Sequence, residues 1–217
     1  MKEPFSVAFV RPAAFGTLAG IHLPAGVEAV TEDVLARLHP DERALALGMR
    51  GRRQIEFTGG RLAWRALGVS AEALGVAEEG GPSCPAGLSV SLTHKQDRAV
   101  AMAGSLAHGT LGLDLEGDAR ERMTIASRVL RPDEPAGDWR GVLIRFALKE
   151  AAYKAIHPHL RRFVGFQEAR VGLDPVTVEI VTEPSLRLEA AWEALDEFKV
   201  LAMVRATSTA TTAPSTV

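Results

Sequence analysis

Two acids spaced two residues apart are the first place where this sequence can do chemistry. In Leu111-Gly-Leu-Asp114-Leu-Glu116, apolar and acidic residues alternate, so on a strand Asp114 and Glu116 project from one face. A carboxylate pair on one face can hold a hard divalent cation. Oxygen ligands of this kind suit Mg2+, which keeps part of its water shell and shares substrate phosphates. The same alternation also describes a strand with a solvated polar face. In Phe146-Ala-Leu-Lys149-Glu150-Ala-Ala-Tyr-Lys154, Glu150 and Lys154 stand at i and i+4 of an expected helix. They read either as a surface ion pair or as a third acid for the metal beside a lysine aimed at a phosphate.

Ser91-Leu-Thr93-His94 closes an expected strand at a loop edge. There a hydroxyl and an imidazole can reach an anion, or His94 is a hydrogen-bonded loop residue and nothing more. Arg43, Arg50, Arg52, Arg53, Arg61 and Arg65 gather in one helical region. They form either a solvated face or a stripe that selects a phosphate-rich ligand. Cys84 has no acid or base beside it in sequence and is expected to be inert.

These residues need elements to carry them. Residues 5–10 read as a first strand between Pro4 and Pro12. From Pro40 to Leu67 the pattern is helical, with breaks expected near Gly51 and at Gly59-Gly60. Residues 78–87, dense in Gly and Pro, read as a loop. Residues 88–92, 99–103 and 110–116 read as the strands of a small meander with a turn at Ala107-His108-Gly109. Helices are expected over 123–130 and 139–156, the second stopped at His157-Pro158. Strands follow over 169–173, 177–181, 186–190 and 198–205. Helices followed by strands, twice, predict an α+β fold of two similar halves with a pseudo-twofold relation. The halves are expected at 1–107 and 108–206, with a mobile Ser/Thr/Ala/Pro tail over 207–217.

The 217 residues carry a formal charge of -2, which gives no global basic field for nucleic acid. The single cysteine leaves no internal disulfide or Cys-cluster zinc site and fits a reducing compartment. The start has no apolar signal core and no stretch reaches membrane-spanning length, so a cytoplasmic protein is expected.

Taken in order, Thr93-His94, Gly112-Leu-Asp114-Leu-Glu116 and Phe146-Ala-Leu-Lys149-Glu150-Ala-Ala-Tyr-Lys154 resemble the signature of the 4'-phosphopantetheinyl transferases. The resemblance is nearest to the enterobactin-synthetase-associated branch. Arg53-Gln-Ile-Glu-Phe57 through Gly60-Arg61, the Gly80-Gly-Pro82 loop and Phe163-Val-Gly-Phe-Gln-Glu-Ala-Arg170-Val carry it, and it departs at Glu79 and Cys84. It implies coenzyme A lying between two α+β halves and a phosphopantetheine arm transferred to a serine of an apo acyl or peptidyl carrier protein. It also implies Asp114, Glu116 and Glu150 as Mg2+ ligands, Arg53 and Arg61 on nucleotide phosphates, and His94 on a coenzyme phosphate. Gly80, Pro82 and Thr93 would border the coenzyme, and Lys149 would make a secondary phosphate contact. Lys154 would stabilise departing 3',5'-ADP, and Glu150 would take the serine proton, directly or through a metal-bound water.

The pathway expected is siderophore or polyketide biosynthesis, with a monomer as the working state and neither nucleic acid nor membrane as partner. Arg128, Arg131, Arg140 and Arg145 are the candidates for docking an acidic carrier helix. Two other classes compete: a non-catalytic coenzyme-binding regulator or scaffold of a synthase, and a Mg2+-dependent phosphohydrolase or nuclease using the same acids.

Overall fold

Burial with period two on both faces of the same strands dictates the layering. Ala99, Ala101 and Ala103 face one core while Val100 and Met102 face another. Val200, Ala202 and Val204 set against Leu201 and Met203 repeat the split. A strand buried on both sides has to lie between two layers.

The computed structural model describes residues 3–117 and 122–208. In chain order the elements are β1 (Val7–Ala13), β2 (Gly16–His22), α1 (Glu32–Leu35), α2 (Pro40–Leu47), α3 (Gly51–Leu67), β3 (Gly75–Val76), β4 (Pro82–Ser83), β5 (Leu88–Lys95), β6 (Arg98–Ser105) and β7 (Thr110–Gly117). They continue as α4 (Ala126–Val129), α5 (Trp139–Leu160), β8 (Ala169–Leu173), β9 (Val176–Ile180), β10 (Leu186–Ala194) and β11 (Lys199–Ser208). One antiparallel sheet has the order β1-β2-β6-β5 and a second the order β10-β11-β7. Helix α3 covers the outer face of the first through Ile55, Leu62 and Trp64, and α5 covers the second through Leu148, Ala151 and Ala155. The inner faces meet over Leu18, Met102, Leu113, Leu115 and Met203. The architecture is α+β, helix, sheet, sheet, helix, and the plan of one long helix on one antiparallel sheet occurs twice. Among the described residues no helix is long and apolar enough to cross a membrane.

Four sequence expectations need correction. Helix α3 runs unbroken through Gly59 and Gly60. A Cβ at Gly59 would come within 2.2 Å of Leu23 Cδ2 and 3.2 Å of Ala99 Cβ, so this glycine lets the helix sit close on the sheet and does not end it. Helix α5 continues through Pro158 to Leu160. A proline so near the end forfeits only one late backbone bond, and Arg161 closes the turn in the left-handed region, its N–H donating to His157 O at 2.9 Å. Strands β5, β6 and β7 do not make a meander, because β7 pairs with β11 in the other sheet. The chain crosses over at Gly109, whose φ of +118° and close approach to Ala206 O require glycine. Strand β11 also takes in Thr207 and Ser208 from the expected tail; the rest of that tail lies outside the described residues.

Candidate active site

The α5–β7 crossing positions the acids, and Gly112 permits it. A Cβ on Gly112 would stand 1.8 Å from Ala151 O and 2.7 Å from Ala155 N, so the strand backbone lies directly on the helix. Residues on the same strand face, Asp114 and Glu116, therefore point toward the α5 side. The helix answers with Glu150, next to Ala151, and Lys154, next to Ala155. Lys154 Nζ donates to Leu113 O at 2.8 Å and to Asp114 Oδ1 at 2.7 Å.

Asp114 is 6% exposed, and its Oδ2 is buried with no hydrogen-bond partner among the described residues. Glu116 Oε2 lies 2.6 Å from Lys95 Nζ. Burial first, then the charge on Asp114, pushes the Glu150 carboxyl above its ordinary range, with Glu116 adding and Lys154 opposing. Glu116 is likewise raised, by burial first and by Asp114, with Lys95 opposing. The three acids thus feel one another across the strand–helix crossing.

No group of three or more acid, His or Cys ligands is already gathered as a metal cage among the described residues; Lys154 and Lys95 hold two of the acids instead. The donor set nonetheless fits a hard dication. It is all carboxylate oxygen, it is mutually repelling, and it offers one buried oxygen that no other described residue satisfies.

His94 stands at the end of β5 with Nδ1 3.5 Å from Glu56 Oε1. Glu56 is itself held by Arg52 Nε at 2.6 Å. Burial lowers the pKa of His94, against the pull of Glu56. Lys154 and Asp114 also bear on His94, so the β5 end and the acid site share one neighbourhood. Arg53 is exposed on the first turn of α3 and makes no ion pair among the described residues.

Arg61, by contrast, is 4% exposed: Nη2 donates to Gly75 O at 3.0 Å and the guanidinium lies 4.3 Å over the Phe57 ring. Burial brings its pKa down to about 10, Glu42 opposing and Arg65 adding. It supports the β3–β4 hairpin from within. Gly80 tips that hairpin with φ +88°, its N–H donating to Ala77 O, and Pro82 lies in β4. The arginines are therefore not one stripe, since Arg43 pairs with Glu32 and Arg65 with the fully buried Glu42. Cys84 is exposed, but its thiol turns back toward Pro82 O (3.7 Å) and Val90 O (3.8 Å), and desolvation there raises its pKa.

Arg61, expected on a nucleotide phosphate, thus stands elsewhere than the sequence suggests, and so do three other residues. Thr93 is 5% exposed, and its hydroxyl accepts Leu115 N–H at 3.0 Å, so it is turned inward and not toward a coenzyme. Arg145 is buried, donating to Gly141 O at 3.2 Å, and is no docking residue. Lys149 is 2% exposed, and its ammonium donates to Val129 O (2.8 Å), Glu134 Oε2 (2.7 Å) and Phe166 O (3.1 Å). All three protons are used, so no phosphate contact remains.

Glu134 also accepts from the backbone of Arg131 and Val171, so this pair pins the 123–134 segment to α5 and β8. Lys149→Ala would strand a buried carboxylate. It is expected to destabilise the fold by about 3–5 kcal/mol in chemical denaturation, with the coenzyme KM of the folded protein unchanged. A tenfold rise in KM at intact stability would restore the phosphate role.

Sequence reasoning gave no role of their own to Glu56 and Gly112, though both stand in the segments that carry the resemblance, and took Lys95 only as a neighbour of His94 favouring an anion. Glu56, four residues after Arg52, carried an i,i+4 signal; Lys95 and Gly112 carried none without the fold.

Residues 110–205 match the family described as the 4'-phosphopantetheinyl transferase superfamily, and residues 41–108 match the 4'-phosphopantetheinyl transferase N-terminal domain. The two matches meet where the chain passes from the first sheet to the second. The 4'-phosphopantetheinyl transferase Npt of Nocardia iowensis is 34% identical over 167 residues, covering 69% of this chain and 73% of that protein. The 4'-phosphopantetheinyl transferase Svp of Streptomyces mobaraensis is 29% identical over 160 residues, covering 66% of this chain and 64% of that protein.

Proposed function

The chain belongs to the 4'-phosphopantetheinyl transferases, and from that premise we propose how its residues move the phosphopantetheine arm of coenzyme A to a serine of an apo acyl or peptidyl carrier protein. One observation carries the assignment. Asp114 is gripped on one oxygen by Lys154 from α5, its other oxygen is buried and without a partner among the described residues, and Glu116 and Glu150 lie within its field.

Asp114, Glu116 and Glu150 would hold a Mg2+ ion, whose chemistry when bound is to neutralise charge on the pyrophosphate. Glu150, its pKa raised by burial and by the charge on Asp114, takes the proton of the attacking serine hydroxyl. The serine oxygen forms its bond to the phosphorus that carries pantetheine, the bridging P–O bond breaks, and 3',5'-ADP leaves. Lys154, already aimed along the strand at Leu113 O and Asp114, turns its ammonium to the 5'-phosphate of the departing 3',5'-ADP. Arg53 and His94 contact the coenzyme phosphates, and Gly80 and Pro82 shape the bordering hairpin, which Arg61 braces from behind.

Residues 1–107 thus form the coenzyme side and 108–206 the acid side. Within the family we place the chain in the enterobactin-synthetase-associated branch on its Arg53–Phe57, Gly80–Pro82 and Phe163–Val171 segments. We place it in the cytoplasm as a monomer that acts on neither nucleic acid nor membrane.

Incubated with coenzyme A and Mg2+, an apo carrier domain is expected to gain the mass of one phosphopantetheine. No gain with any of several acyl and peptidyl carriers would remove the activity.

The metal has its own test. Glu116 and Glu150 have folded-state pKa values above the ordinary 4.5. Each of these two acids therefore binds its proton more readily in the metal-free fold than in the unfolded chain, and its own contribution to stability rises as pH falls from neutral toward that value. At a hundredfold excess over its Kd, Mg2+ should add about 2.7 kcal/mol, roughly 5–10 °C in Tm, near neutral pH. The gain should shrink as the acids protonate. An unmoved Tm at every pH would take Mg2+ out of the site.

A further inference from the structure

The two sheets are joined by a row of side-chain hydroxyls. Ser89, Ser91 and Thr93, alternate residues of β5, are all buried, and their oxygens accept the N–H groups of Leu111, Leu113 and Leu115 of β7 at 2.8, 2.9 and 3.0 Å. Each step of two on β5 matches a step of two on β7, so the strands run parallel with hydroxyls standing where backbone carbonyls would be. One edge of β7 is bonded to β11, and this ladder satisfies amides on the other. The register of β7 against the first sheet is thereby fixed by three oxygen atoms.

The last rung does more than the first two. Thr93 Oγ1 lies 3.5 Å from Asp114 Oδ1, the same oxygen that receives Lys154 Nζ at 2.7 Å. Two donors from different elements face Oδ1, and among the described residues none is hydrogen-bonded to the buried Oδ2. A carboxylate loaded on one oxygen from two sides cannot rotate without losing both contacts. Resting on the metal assignment above, we infer that Thr93 is a positioning residue that fixes the Asp114 carboxylate so that Oδ2 is the oxygen offered to the cation. Thr93 touches neither coenzyme nor reacting atoms. Its hydroxyl gives a proton toward Oδ1, and its oxygen ties the register of β7 to β5, the strand that carries His94 next to its last residue. Ser89 and Ser91 share the register role but stand beside Leu111 and Leu113, away from the carboxylate.

Four full-length proteins test this: wild type, Thr93→Val, Thr93→Ser and Ser89→Ala. Thr93→Val keeps the shape and deletes the hydroxyl; Ser89→Ala deletes one rung far from the acids. Mg2+ affinity is read by calorimetry without coenzyme, and kcat and KM are read with it.

Thr93→Val and Ser89→Ala are expected to lower Tm by similar amounts. Only Thr93→Val should weaken Mg2+ binding about tenfold or more and lower kcat, with the coenzyme KM within twofold of wild type. Thr93→Ser should restore the affinity. Equal Mg2+ affinity in Thr93→Val and Ser89→Ala would reduce Thr93 to a structural rung and overturn the inference. A KM rise with kcat and Mg2+ affinity unchanged would make Thr93 a coenzyme contact and overturn it as well. Wild type that binds no Mg2+ would instead sink the metal assignment, and the inference with it. If Thr93→Val fails to fold, the decision passes to Thr93→Ser against Thr93→Ala, where the folded serine form must bind Mg2+ at least tenfold more tightly.

Discussion

Replacing Glu150 by glutamine is expected to raise the Tm of the metal-free protein while lowering kcat by about 10²- to 10⁴-fold. The two effects have opposite signs because they arise from one cause. Burial and the charges of Asp114 and Glu116 make the ionised Glu150 carboxylate costly in the folded state, and Lys154 offsets only part of that cost. A neutral isostere removes the repulsion. The gain should be largest above the folded-state pKa, where the carboxylate is charged in the folded and unfolded states alike. It should fade as pH falls through the folded-state pKa, where wild type becomes neutral too. The proton acceptor and one charge for the cation vanish with the same substitution, and glutamine supplies neither. Melting curves across pH and single-turnover transfer to an apo carrier decide the matter. If E150Q melts lower than wild type at every pH, Glu150 is a structural residue. If E150Q keeps kcat within twofold, the base lies elsewhere.

That trade explains why the local pattern was legible and its assembly was not. Asp114 and Glu116 announce themselves by alternation, and Glu150 and Lys154 by helical spacing, because each pair lies within one element. Lys149 and Lys154 look equally basic in the sequence. They stand about 140° apart around α5, so one meets Glu134 under α4 and the other meets Asp114; only the neighbours of α5 reveal which is buried. Thr93 reads as a polar strand end beside His94, and nothing local indicates that its oxygen is taken by an amide of Leu115 on another strand. Strand β2 escapes notice because Gly16 opens it and Gly20 interrupts its apolar run. Those glycines answer to the Ala103 carbonyl and the Phe9 ring, which a Cβ would strike at 2.2 and 2.4 Å. In each case local periodicity set the element, while a contact distant in sequence set what the residue does.

The same division bears on Gly112. Adding one methyl group there is expected to cost about 3 kcal/mol or more and to lower kcat/KM about 100-fold or more in the molecules that still fold. The new Cβ would meet Ala151 O at 1.8 Å, Ala151 C at 2.9 Å and Ala155 N at 2.7 Å. All three are helix backbone, so no side chain can swing aside, and α5 itself must lift from β7. Lifting α5 carries Glu150 and Lys154 away from Asp114 and stretches the Lys154 bonds to Leu113 O and Asp114 Oδ1. A misplacement of about 1 Å is enough for a loss of that size.

Gly60→Ala is the matched control. It adds the same methyl group in the interior of α3, where the nearest atom, Leu92 Cδ1, is at an ordinary 3.6 Å, and helix propensity predicts a gain of about 0.5–1 kcal/mol. Chemical denaturation and transfer kinetics on the two variants should therefore move in opposite directions for stability, with activity lost only at Gly112. If G112A were as stable and as active as G60A, the strand–helix contact would have slack, and the placement of Glu150 and Lys154 over Asp114 would have to come from elsewhere in the fold.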